Sequence, residues 1–105
     1  MSKFKLGQVV VTRSINNEIA DNSKFAEEVM QCLRRYASCD WGDTHKDDKP
    51  LNDEAVKRGE RILAAYKTSQ GKIWIITEWD RSATTILYPD EYEKPKGRRQ
   101  SCCSL

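Results

Sequence analysis

The stretch RILAAYKTSQGKIWIITEWDRSATTILY, residues 61–88, decides the fold. Arg61 to Lys67, Lys72 to Trp79 and Ala83 to Tyr88 are rich in β-branched and aromatic residues. Turn-forming clusters separate them, Ser69-Gln70-Gly71 and Asp80-Arg81-Ser82. Connections this short join antiparallel neighbours, so the stretch predicts a three-stranded meander. Pro89 closes its last strand, and Asp90 to Tyr92 reads as a final turn.

Upstream, Phe4 to Thr12 reads as a first strand, its apolar residues on both faces suggesting burial on both sides. A short helical turn with Ile15 and Ile19 follows, Ser14 serving as its cap. From Asn22 or Ser23, the spacing of Phe25, Val29, Leu33 and Tyr36 or Ala37 predicts a helix, with Cys32 on its apolar side. Ser38 to Lys49 reads as a loop ended by Pro50. Asn52 then suits the N-cap of a second helix, with Leu51 stapled against Val56 and Gly59 as its stop. The expected fold is therefore α+β, in the order β-α-α-β-β-β: a small antiparallel sheet of about four strands with two helices packed on one face.

A chain of 105 residues fits one domain, expected over residues 1–92, with 93–105 as a basic, disordered tail. Lys94, Lys96, Arg98 and Arg99 follow the last acid, Glu93. The whole chain carries only +2, so the body before them is slightly acidic, unlike a nucleic-acid reader with a basic folded surface. Apolar runs such as Ile73 to Ile76 are far short of the roughly 20 residues that span a bilayer, and Met1 to Leu6 lacks an apolar signal region. These features predict a cytoplasmic protein. Cys32, Cys39, Cys102 and Cys103 form no zinc spacing, and His45 is the only histidine, so neither a metal nor a cofactor is expected. Phosphate loops are missing too, since Gly7, Gly42, Gly59, Gly71 and Gly97 stand singly.

Two constellations could carry chemistry. Asp40-Trp41-Gly42-Asp43 combines paired acids with an indole and a glycine; as a site it would bind a cation or a partner, and as a turn Trp41 would anchor the loop in the core. Glu78-Trp79-Asp80-Arg81-Ser82 crowds charges and an indole at one sheet end, where Arg81 would otherwise pair with Glu78 or Asp80. Alternation sends Thr84 and Thr85 to opposite faces, so at most one joins such a site. His45 reads as a solvated loop residue rather than a general base. Trp74, Trp79, Tyr66 and Tyr88 could stack bases, but the sequence shows no basic interleaving, and core packing explains them as well. Cys102-Cys103-Ser104-Leu105 matches a prenylation box in position, although Cys103 and Ser104 are not aliphatic.

Three stretches, Lys3 to Gln8, Asp40 to Asp43, and Ile73 to Ser82 with Thr84, Thr85 and Tyr92, carry a resemblance over nearly the whole body. The chain resembles a family of small uncharacterised bacterial proteins often carried on plasmids, phages and other mobile elements. That resemblance brings no catalytic residue set, and its members commonly end near the equivalent of Tyr92. Small size and the missing catalytic signatures favour a non-enzymatic protein-binding module, including one that restrains a host defence system. Its candidate binding residues are Asp40, Trp41, Asp43, Glu78, Trp79, Asp80 and Arg81. The alternatives are a small nuclease-like toxin, with Asp40, Asp43, Glu78, Asp80, Arg81 and His45 converging on a phosphodiester, and a nucleic-acid binder using the tail and one sheet face.

Overall fold

The computed structural model describes residues 3–92. The expected tail, its four cations and its cysteine-rich ending lie outside them. The elements are β1 (Gln8–Val11), α1 (Arg13–Asp21), α2 (Ser23–Ala37), α3 (Lys49–Arg58), β2 (Ile62–Thr68), β3 (Gly71–Thr77) and β4 (Ala83–Leu87), then a 3-10 turn at Pro89–Glu91. The protein is α+β, with a four-stranded sheet in the order β1-β4-β3-β2. No helix among the described residues is long and apolar enough to cross a membrane.

The meander forms as the sequence implies, β2 antiparallel to β3 and β3 antiparallel to β4. The purely antiparallel sheet does not: β1 runs parallel to β4, Val9 opposite Thr84 and Val11 opposite Ile86. β2 and β4 share a direction because β3 reverses between them. The outer edge of β2 is occupied by other residues, so β1 enters beside β4. It is an edge strand, with Gln8 and Val9 exposed and Val10 and Val11 half-buried, rather than a strand covered on both faces.

Three helices, not two, accompany the sheet. The segment read as a short turn is the nine-residue α1, and its cap is Thr12 rather than Ser14: the Ile15 N–H donates to Thr12 Oγ1. Asn22 ends α1 and caps α2, accepting the Phe25 N–H at 3.1 Å. Phe25, Val29, Cys32 and Tyr36 then bury one face of α2. α3 begins at Lys49, earlier than Asn52, because Pro50 sits in the first turn where its missing N–H costs nothing. Leu51 lies inside α3 rather than ahead of its cap and is 63% exposed. Gly59 does end α3, in a left-handed conformation at φ 72°. Ile15, the α2 residues and Ala55 pack with Ile62, Ala64, Tyr66, Ile73, Ile75 and Ile86 on one sheet face.

Asn52 has a different task from capping. It lies inside α3 and acts as a surrogate strand, its amide donating to Leu63 O at 2.9 Å and accepting from Leu63 N. Asp43 N–H donates to Ala65 O, Thr44 Oγ1 accepts from Ala65 N, and Asp43 Oδ2 accepts from Lys67 N. The outward groups of β2 are thus met one by one, which removes a pairing edge. Asn52→Ala would leave both Leu63 groups without partners, a loss of about 2 kcal/mol. Chemical denaturation should show that loss, and sedimentation should show new concentration-dependent association through the bared edge.

Candidate functional site

The loop after α2 turns sharply at Cys39, whose φ is 68°. Asp40 then grips Arg35 through two contacts, Nε to Oδ2 at 3.0 Å and Nη2 to Oδ1 at 3.4 Å, and accepts the Gly42 N–H. The Arg35 hydrogen bond holds the Asp40 carboxyl below the usual carboxylate range. Trp41 is buried, 4% exposed, with its Nε1 donating to Asp53 Oδ1 at 2.9 Å. Gly42 lies on the Tyr66 ring, where no side chain would fit, and the Tyr66 hydroxyl donates to Asp40 O. The acids of this motif therefore hold a helix end and a strand edge, while its indole fills the core.

The second motif is the β3–β4 turn. Ser82 N–H donates to Asp80 Oδ1, and hydrogen bonding from Ser82 keeps the Asp80 carboxyl below its ordinary range. Arg81 takes a left-handed φ of 60°. Its guanidinium pairs with neither acid. Nη1 donates to Glu60 O at 2.7 Å and Glu78 O at 3.0 Å, and Nη2 donates to Ala55 O at 2.9 Å. One planar fork thus joins the carbonyl end of α3 to the turn, a use suited to arginine and to the negative pole of a helix. Trp79, between Glu78 and Asp80 in sequence, is 67% exposed.

The motifs meet through Phe4. Its ring centroid lies 6.2 Å from that of Trp41 and 5.5 Å from that of Tyr36, and the Arg81 guanidinium carbon sits 5.8 Å above it. α3 ties both motifs as well, Asp53 to Trp41 and Ala55 to Arg81. What converges is scaffolding. The carboxylates of Asp40, Asp43 and Asp80 each answer a different local donor. Among the described residues no three His, Cys, Asp or Glu side chains are grouped to hold a metal ion. His45 is exposed and accepts the Asp47 N–H at Nδ1, while burial pushes the Cys39 thiol up, away from the reactive thiolate.

Sequence reasoning missed a buried hydroxyl chain. Thr84 Oγ1 donates to Leu6 O at 2.7 Å, so the 2.8 Å bond between Thr77 and Thr84 takes its proton from Thr77. The 2.6 Å bond to Thr77 then takes its proton from Tyr36, whose hydroxyl burial holds well above its usual range. The chain Tyr36 to Thr77 to Thr84 to Leu6 runs one way and stitches α2, β3, β4 and the N-terminal segment. Two threonines bracketing the turn on inward positions were its only sequence signal. Thr84 is buried and Thr85 half-buried, as alternation requires.

The opposite sheet face carries Leu63, Ala65 and Lys67 of β2 with Lys72, Trp74 and Ile76 of β3. Tyr92 packs edge-on against Trp74 at 5.5 Å, and Arg61 lies 5.3 Å over the Tyr92 ring. Tyr66, counted from sequence among residues able to stack a base, is wholly buried in the core. Comparison with known family models, curated proteins and solved structures gives no match.

Proposed function

We propose that the chain is a non-enzymatic protein-binding module that engages its partner through the Trp79 turn. The observation that carries this reading is a tryptophan 67% exposed on a turn tied down by the Arg81 fork. Exposed tryptophans are the commonest strong anchors of interfaces, and a preordered mount lowers the entropy cost of using one. Glu78 and Asp80 flank it in sequence, so the complementary surface is an apolar pocket rimmed by Lys or Arg. Trp41, the other indole of the candidate set, serves the core. The resemblance to proteins of plasmids and phages makes a component of a host defence system the first partner to test.

Trp79→Ala should weaken a stoichiometric partner by roughly 30-fold or more while changing folding stability by less than about 0.5 kcal/mol. Affinity purification from a bacterial host with both forms, followed by titration of the recovered partner, measures this. Equal recovery by Trp79→Ala would sink the reading, as would recovery of no stoichiometric partner at all.

A second reading, single-stranded nucleic acid on the opposite sheet face, is favoured by one observation. Lys67 and Lys72 are exposed and paired across β2 and β3, next to Trp74 and the Arg61–Tyr92 stack. The fold thereby supplies the cation and aromatic interleaving that the linear sequence lacks. If it holds, oligonucleotide affinity measured by anisotropy should fall steeply with salt, and Lys67→Glu with Lys72→Glu should flatten the slope by about two.

A further inference from the structure

The two edges of the sheet are treated differently. β2 is sheathed by Asn52, Thr44 and Asp43. On β1, the N–H of Gln8 donates to Ser82 O, and that of Thr12 donates to Ile86 O. Alternation therefore turns the N–H and C=O groups of Val10 toward β4 and those of Val9 and Val11 outward. No described residue bonds to them, and Val9 is 41% exposed. Exposed Lys5 and Arg13 flank the strand, and neither forms an ion pair among the described residues.

We propose that the β1 edge receives an extended segment of a partner protein by strand addition, and that this segment is apolar in its middle and acidic at both ends. Backbone groups at Val9 and Val11 would give it four hydrogen bonds, and Val9 an apolar contact. The flanking cations select carboxylates in either strand direction. They also disfavour a second copy of this chain: antiparallel pairing of Val9 with Val11 of that copy would set Arg13 of each opposite Gly7 of the other, two residues from its Lys5. An edge of four residues is, moreover, well short of the roughly 1,200 Å² that stable dimers bury. This site is separate from the Trp79 turn, and Trp79→Ala leaves it intact.

The test uses the full chain with the capped peptide Glu-Val-Thr-Val-Thr-Glu and its counterpart carrying Lys at both ends. NMR amide exchange at Val9 and Val11 should slow on adding the first, which should bind roughly tenfold tighter than the second. The Lys5→Glu/Arg13→Glu double variant, altered only at exposed positions, should reverse that order. Unchanged exchange at saturating peptide, or no charge preference, overturns the proposal. Protection that appears without peptide and grows with protein concentration assigns the edge to a second copy. Protection lost on deleting residues 93–105 assigns it to the chain's own end; either result also overturns it.

Discussion

Gly7→Ala is expected to remove roughly 4 kcal/mol or more of stability, a large share of the 5–15 kcal/mol typical of a domain. Gly7 has a φ of +67°, and a β-carbon there would stand 2.5 Å from the carbonyl carbon and oxygen of Ser82, and also against Arg81 O. These are backbone atoms, so no rotamer change relieves the overlap. β1 would have to part from the β3–β4 turn, breaking the Gln8 N–H bond to Ser82 O and straining the Thr84 bond to Leu6 O. Gly59→Ala is the control. Its φ of +72° imposes the same left-handed cost of about 1 kcal/mol, but nothing lies within 4 Å of the new atom. Urea titrations of both variants measure the difference, and similar losses would contradict a backbone clash at Gly7.

Arg81→Ala should cost roughly 3 kcal/mol. It strips the fork from Ala55 O, Glu60 O and Glu78 O, bonds of the charged kind, some of them partly screened by water. Arg81→Lys should recover only part, because an ammonium is a point donor and cannot span α3 and the turn together. Arg81→Gly should be less harmful than Arg81→Ala by about 1 kcal/mol, since the left-handed backbone is free for glycine. The order Arg, Lys, Gly, Ala in midpoint is the measurement; an Ala variant as stable as wild type would remove the fork from the account. On the proposed protein-binding reading, partner affinity should follow the same order, because the fork mounts Trp79.

The meander, the α2 face and the Gly59 stop were legible because each depends on near neighbours: alternation, a helical period, and a glycine after a helix. The direction of β1 was not, because it depends on which distant edge remains free after Asn52, Thr44 and Asp43 have occupied the other. Asn52 misled for a related reason. Its residue type suits a cap, while its actual partner, Leu63, is fixed by tertiary packing. The two candidate motifs looked alike, each with an indole among acids, and only the fold separates them: Trp41 meets Asp53 and Tyr36 inside, and Trp79 meets none of these. Loop residues follow no period from which inside and outside could be read.

The pairing of β1 with β4 also sets a timetable. Leu6 and Thr84, bonded across it, are 78 positions apart, whereas β2, β3 and β4 close through short local turns. Loop closure of that span is slow and rewards the chain only at its end, so the meander with α2 against it is the natural nucleus and β1 docks late. A chain emerging from the ribosome would carry Val9 to Val11 unpaired until β4 follows. During that interval the segment that completes the sheet is also the one most open to capture by a chaperone or another nascent strand.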